Sequence, residues 1–508
     1  MTTMSAPLVS DRVLILGVGE TGAAAARWCV RQGLALRVAD TRAMPPGMDA
    51  LRADLAEADV QYVLGEGALT ADLIVDVMQV VLSPGLVPSD TPVKDVLDAA
   101  SAANIEVVGE IELFARALAQ LAATQDYAPH VLAVTGTNGK TTVTALTRHM
   151  IVSSGMTAVA AGNIGPAALT ALMTALDAED LPQVWVIELS SFQLETTVSL
   201  KPDAAVVLNV TQDHLDWHGN EAAYAAAKSR IYTNARIRIA NRDDAQVLSM
   251  VGDTQALPVR TFGRDVPQLV GDLGLETGAG VAWLCAAQSQ GLDEDAPPPK
   301  RKKNAPEPVR EAGRLTRLMP VDALRLRGSH NACNVLAALA LARTLNLGWG
   351  ALLRAARDYD GEPHRTTFVR SIGGVDFIND SKGTNVGASV AALEGMGQPV
   401  VLIAGGLGKG QDFAPLAQAV ARHARAVVLI GQDAALIAAA LGEAAMPIER
   451  ADRLDDAVAR AMALAQAGDA VVLSPACASM DMFRNYGHRG DAFVDAVHSL
   501  ALDRGEVA

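Results

Sequence analysis

Aromatic side chains are scarce in this chain, with Phe, Trp and Tyr making up 4% of 508 residues. Its cores must be filled by Ala, Val, Leu and Ile rather than by stacked rings. Positive charge is also short. Forty-two basic residues against 57 acidic ones leave a formal charge of −15, which argues against nonspecific attraction to nucleic acid or an anionic membrane surface. It does not exclude a small anion, because a few local cations and a helix N-terminus can hold a phosphate. The four cysteines, Cys29, Cys285, Cys333 and Cys477, form no CxxC pair. That argues against a zinc cluster and fits reduced thiols. No apolar run reaches the length of about 18 residues that spans a bilayer. The first residues lack the basic stretch and apolar run of a secretion signal. A cytoplasmic location with neither nucleic-acid nor membrane partners is expected.

Alternation is what the chain has instead. Short apolar runs at 13–16, 36–39, 131–134, 184–187, 204–208, 400–403, 426–430 and 470–473 are separated by Ala-rich amphipathic segments. Runs this short between helical patterns indicate βαβ units, hence an α/β fold with largely parallel sheets. The length suggests roughly three domains, and three blocks separate: 1–108, 109–361 and 362–508. Within the second, residues 293–313 combine Pro with dense charge, including the basic run Lys300-Arg301-Lys302-Lys303. Such composition cannot pack a core and reads as a flexible surface insertion.

Several motifs carry chemistry. Gly17-Val18-Gly19-Glu20-Thr21-Gly22 follows one strand, and Asp40 ends the next. Glycines there permit a tight turn and close approach to a nucleotide diphosphate at a helix N-terminus. Ser83-Pro84-Gly85 follows a further strand. The strongest signal is Thr135-Gly136-Thr137-Asn138-Gly139-Lys140-Thr141-Thr142, a shortened phosphate loop between a strand and a helix over 142–153. Its backbone N–H groups form an anion nest, Lys140 neutralises the β- and γ-phosphates, and the Thr141 hydroxyl is placed for Mg²⁺. Glu188 and the pair Asp213-His214 follow strands at the ligand-binding edge, where they suit a metal–phosphate site or a helix cap. Lys228 reads as an ordinary exposed helix lysine. In the third block, 379–385 (NDSKGTN), 405–410 (GGLGKG) and 474–479 (SPACAS) all follow strands. They belong on one sheet edge, a suitable place for an anionic substrate. Cys477 reads as structural, since no base accompanies it.

Taken together, TGTNGKTT, GNIG (162–165), ELSSFQLE, DHLDWH, GSHNACN (328–334), HR (364–365), NDSKGTN and SPACASMDMFRNYGHRGD resemble the Mur ligase family. The likeness runs from Gly17 to Asp491 and leaves out only the insertion. It implies a Rossmann-like N-terminal domain that binds a UDP-sugar, a central P-loop ATPase-like domain, and a Rossmann-like C-terminal domain that binds amino acid and ATP. It also implies an ATP-dependent amide ligase that adds D-glutamate to UDP-N-acetylmuramoyl-L-alanine through an acyl phosphate, acting as a monomer in peptidoglycan precursor synthesis. By resemblance, Lys140, Glu188, His214 and Lys228 are catalytic. Thr141, Glu188, His214 and a carbamylated Lys228 would hold two Mg²⁺. Gly136, Thr137, Asn138, Gly139, Lys140, Thr141, Thr142, Asn331, Asn334, Arg365, Asp380 and Lys382 would hold ATP. Thr21, Asp40, Thr41, Arg42, Ser83, Asn163, Ser190 and Gln193 fall at the UDP-sugar contacts. Thr384, Lys409, Ser479 and Tyr486 fall where D-glutamate is held. Thr367, Leu407 and Tyr486 depart from residues frequent in the family. A folylpolyglutamate synthase-like ligase shares the phosphate-loop core, but the block before that loop counts against it. A noncatalytic nucleotide sensor would not need Glu188, His214 and Lys228 together.

Overall fold

The computed structural model describes residues 12–289, 309–326, 328–442 and 446–506. It divides into two compact units. The first comprises the chain up to Gly136, Ile151–Val207 and Trp217–Ile239; the second comprises Thr137–Met150, Leu208–Asp216 and everything from Ala240 onward.

The first unit opens with five parallel strands, β1 (Arg12–Leu16), β2 (Ala35–Asp40), β3 (Val60–Leu64), β4 (Gln79–Leu82) and β5 (Glu106–Val108), in the order β3-β2-β1-β4-β5. The chain winds outward from β1 through β2 to β3, then returns to place β4 on the other side of β1. That reversal makes the crevice between β1 and β4 a switch point, where α/β sheets bind ligands. Leu14, Leu16, Val80 and Val96 are wholly buried in its core. The same unit carries β6 (His130–Thr135), β7 (Ala158–Gly162), β8 (Val184–Glu188) and β9 (Ala204–Val207), all parallel in the order β9-β6-β8-β7. Every residue of β8 is buried, as a strand covered on both faces requires.

After β10 (Ile237–Asn241) come β11 (Val259–Phe262), β12 (Leu273–Gly278), β13 (Val281–Gln288) and β14 (Arg314–Pro320). The last three form antiparallel hairpins, which the expectation of largely parallel sheets did not foresee. Ala279 and Gly280 join β12 to β13 with φ of 51° and 79°, the two positive values that a type I′ turn needs. Residues 293–308 of the expected insertion, with Lys300 to Lys303, lie outside the described residues. Its end differs from expectation, because Val309 bridges Ala256, Ala312 bridges Leu269, and Arg310 is buried in an ion pair with Asp272. Composition predicted solvation there; one buried pair draws the segment in.

The C-terminal sheet holds β15 (Thr367–Ile372), β16 (Val375–Asn379), β17 (Val400–Gly405), β18 (Ala424–Ile430), β19 (Ile448–Arg450) and β20 (Ala470–Leu473), in the order β15-β16-β20-β17-β18-β19. Asn379 pairs with Leu473, and Leu473 with Ile403. The three motifs that follow β16, β20 and β17 therefore leave one edge side by side, as their positions predicted. Two apolar layers, one centred on Phe377 and Phe493 and the other on Leu402 and Leu416, cover the faces of this sheet.

Candidate functional site

At the crevice of the first sheet, the Ser83 hydroxyl donates to the Gly17 carbonyl at 2.6 Å. Asp40 accepts the Val18 N–H at 2.7 Å and takes both the backbone and the guanidinium of Arg42. Burial pushes the Asp40 carboxyl up, but the hydrogen bonds from Arg42 and Val18 prevail and hold it below its usual range. The glycine turn, Asp40, Arg42 and Ser83 thus converge on one crevice. Thr21 stands half-buried at the start of the adjoining helix, Glu20–Arg31, and Thr41 is exposed.

The register of β6 and β8 sets Glu188 beside Val134, one strand residue before the phosphate loop. Glu188 is 1% exposed. Its Oε1 accepts from Asn163 Nδ2 at 2.7 Å, and its Oε2 is buried with no hydrogen-bond partner among the described residues. A buried carboxylate oxygen left without a proton donor is a costly arrangement that a cation would relieve. Ser190 and Gln193 close a capping box on each other at the start of helix Ser191–Glu195, so the cap read as an alternative for this cluster is present. Lys228 corrects the expectation most plainly. It is 1% exposed, it donates from Nζ to the Gly136 carbonyl at 3.0 Å, and its Nζ lies 4.4 Å from the centre of the Tyr224 ring. A single helical position cannot announce that its helix turns it inward.

In the second unit the phosphate loop is braced by residues that sequence reasoning missed. Asn209 accepts the Thr137 N–H on its carbonyl and the Asn138 N–H on Oδ1, while its Nδ2 donates to the Asn138 carbonyl. Thr211 N–H donates to the Thr137 hydroxyl at 3.0 Å. Their only signal was their place just after β9. Lys140 Nζ donates to the Thr137 carbonyl at 2.9 Å, and Thr141 follows it in the helix Lys140–Ser153. Gly139 has φ of 85°, and a Cβ there would fall 2.5 Å from Asn334 Oδ1, so glycine is what lets Asn334 approach. His214 holds a left-handed φ of 53° beside Asp213. Among the described residues no three His, Cys, Asp or Glu side chains gather as a metal cluster.

A cavity of 560 Å³ in this unit is lined by Asn138, Gly139, Thr142, Asn331, Asn334, Arg365, Asp380 and Lys382. Three stretches far apart in the chain thereby meet in one hollow. Burial pushes the Asp380 carboxyl up to about 6, against hydrogen bonds from Ser474 and the Thr366 N–H that hold it down. His330 lines the same wall, and burial lowers it to about 4, so its ring is neutral at physiological pH.

The loops beyond β17 and β20 are tied by reciprocal backbone hydrogen bonds between Leu407 and Ala478, each 2.9 Å. Arg489, 1% exposed, donates to the Ser381 hydroxyl and carbonyl and to the Cys477 carbonyl. It pins two of the three motifs together, and the HRGD stretch that contains it was its signal. Ser479 is buried, Thr384 half-buried, and Lys409 exposed with φ of 52°. Lys382 Nζ stands 3.9 Å over the Tyr486 ring. Burial raises the Cys477 thiol to about 12, in keeping with a structural role for it.

Residues 11–109 match the Mur ligase MurD-like N-terminal domain, 134–275 the Mur ligase middle domain, and 364–477 the Mur ligase glutamate ligase domain. The chain is 66% identical over 508 residues, all of both chains, to a UDP-N-acetylmuramoylalanine–D-glutamate ligase of Bordetella bronchiseptica. It is 53% identical, over 99% of each chain, to the enzyme of that name from Ralstonia nicotianae. Among solved structures, the MurF ligase of Thermotoga maritima in complex with ADP aligns with a TM-score of 0.57 at 14% identity, over 98% of this chain and 100% of that one. The UDP-N-acetylmuramate–alanine ligase of the same organism aligns at 0.54 and 17%, over 96% and 99%. These two likenesses concern the fold.

Proposed function

This chain belongs to the Mur ligase family, and from that premise we propose that it joins D-glutamate to UDP-N-acetylmuramoyl-L-alanine at the expense of ATP. The observation that carries the reading is the full-length identity to ligases of that name. The cavity supports it, with a phosphate loop at one wall and Asn331, Asn334, Arg365, Asp380 and Lys382 around it, a lining suited to a nucleoside triphosphate. A cytoplasmic setting and a monomer are part of the same proposal, as are the three domains 1–108, 109–361 and 362–508. Among the described residues no helix is long and apolar enough to cross a membrane.

A carboxylate resists attack by an amine until one oxygen becomes a good leaving group. The lactoyl-alanine carboxylate takes the γ-phosphoryl group from ATP and ADP is released; the amine of D-glutamate attacks the acyl carbon and gives up a proton, and phosphate leaves with the electron pair of the broken C–O bond. Lys140 and the loop N–H groups stabilise charge on the transferring group. Gly17, Asp40, Arg42 and Ser83 fit the diphosphate and uridine end of the sugar nucleotide, with Thr21, Thr41, Asn163, Ser190 and Gln193 as further contacts. Thr384, Lys409, Ser479 and Tyr486 are the proposed amino-acid contacts. For Mg²⁺, Glu188 fits a cation, since its Oε2 has no hydrogen-bond partner among the described residues; Glu188, Thr141, His214 and Lys228, the last as a carbamate, are the proposed donors. Bound Mg²⁺ would offset phosphate charge that amide and lysine donors alone leave in excess.

The test is phosphate release with each component omitted in turn. The expected result is turnover only with ATP, UDP-N-acetylmuramoyl-L-alanine and D-glutamate together, and poor turnover with L-glutamate. Equal release with both enantiomers would overturn the assignment.

A further inference from the structure

The helix Val386–Gly395 begins against the phosphate loop, and Asn385 is its N-cap. Asn385 Oδ1 accepts the Ala388 N–H at 2.9 Å and Asn138 Nδ2 at 3.2 Å. Its Nδ2 donates to Asn138 Oδ1 at 3.1 Å and to Asp213 Oδ2 at 3.2 Å. The carboxylate of Asp213 only accepts, which fixes which end of the Asn385 amide faces it. Asn385 itself is 5% exposed, although its partners are half-buried, so an Asn385 amide left without them has little water to turn to and their loss is costly. A second feature marks the same contact. A Cβ on Gly387, in the first helical turn, would lie 2.9 Å from Thr211 Oγ1 and 3.3 Å from Asn138 Nδ2. The backbone of this turn has come as near to the loop as glycine allows.

A helix cap alone needs one acceptor oxygen. Asn385 spends both ends of its amide, three of its four bonds, on Asn138 of the phosphate loop and on Asp213, the neighbour of His214. It also sits three residues after Lys382, which lines the nucleotide cavity, and directly after Thr384, a proposed amino-acid contact. We propose that Asn385 is a positioning residue: its amide pair with Asn138 couples the phosphate loop to the segment that presents the incoming amino acid. The inference rests on the ligase reading above.

Losing the clasp should leave phosphorylation possible while the amine is no longer held for attack. Water then takes its place. The water oxygen bonds to the acyl carbon, the bond from that carbon to the phosphate oxygen breaks with its electron pair going to phosphate, and the water protons go to solvent. The carboxylate is regenerated, and the net reaction is hydrolysis of ATP. The readout is therefore phosphate released per amide formed, which a purely structural cap would not move.

Asn385→Asp keeps an oxygen for the Ala388 N–H but turns a second oxygen on Asp213 and Asn138 Oδ1. Asn385→Ser keeps a cap without adding charge and is too short to reach Asn138. Phosphate and amide product are measured with wild-type enzyme and both variants at saturating ATP, sugar nucleotide and D-glutamate. Wild type should give one phosphate per amide. Each variant should give at least about three, with amide kcat down about tenfold or more and KM for ATP within about threefold. Ratios that stay at one in both variants would overturn the proposal, and Asn385→Ser alone decides if the aspartate variant does not fold. A wild-type enzyme that makes no amide would overturn the ligase reading instead.

Discussion

The hydroxyl of Ser83 donates to the carbonyl of Gly17 at 2.6 Å, and a Cβ on Gly22 would fall 2.0 Å from that same carbonyl oxygen and 2.7 Å from Ser83 Oγ. The first helix can therefore start where it does only if position 22 has no side chain. Gly22→Ala must displace either the turn or the helix, at a cost of about 2–4 kcal/mol. We expect a lower denaturation midpoint together with a raised KM for the sugar nucleotide. An unchanged midpoint would show that the turn relaxes freely.

Glu110 is buried, and burial drives its carboxyl up to about 7, with the Glu20 charge adding to the rise and the Leu169 N–H opposing it. The folded state thus holds a proton that the unfolded chain has released above its ordinary value near 4.5. Stability from this group is full at low pH and declines as pH rises through 4.5 to about 7. The difference in stability between wild type and Glu110→Gln, measured by denaturant titration across that window, should shift by about 3 kcal/mol in favour of the glutamine variant as pH rises. A flat difference would mean that Glu110 is ionised throughout.

Lys228 is buried against the Gly136 carbonyl. Lys228→Ala should therefore lose nearly all activity and also cost about 1–3 kcal/mol of stability from the space it vacates. If a carbamate is the working form, acetate should restore part of the turnover in the folded variant without restoring its melting temperature. Activity within a few-fold of wild type would remove Lys228 from the proposed metal donors.

Arg310 and Asp272 pair with 1% and 4% of their side chains exposed. Arg310→Met leaves Asp272 buried and alone, at a cost of about 3–5 kcal/mol. Adding Asp272→Leu should recover most of that loss, because a hydrophobic pair needs no partner charge. Equal melting temperatures for the single and double variants would contradict the buried pair.

The phosphate loop, the sheet-edge motifs of the third block and the parallel strands were legible because each carries its own local chemistry. Gly136 to Thr142 need glycine, lysine and hydroxyls in a fixed order, and β-branched runs between helices show in any window. Lys228, Asn209, Asn385 and Arg489 were not legible as they stand here, because their roles come from partners 12 to 247 positions away. The β12–β14 hairpins escaped for a related reason. Their strands carry mixed patterns, and the Pro- and charge-rich stretch between β13 and β14 hides the turn signal.

The most direct test of the central claim follows oxygen. UDP-N-acetylmuramoyl-L-alanine labelled with ¹⁸O in its alanine carboxylate is incubated with ATP and D-glutamate, and the released phosphate is analysed by mass spectrometry. An acyl phosphate transfers one carboxylate oxygen to phosphate, so one ¹⁸O should appear for each amide formed. Unlabelled phosphate, with amide formed at the normal rate, would contradict the account.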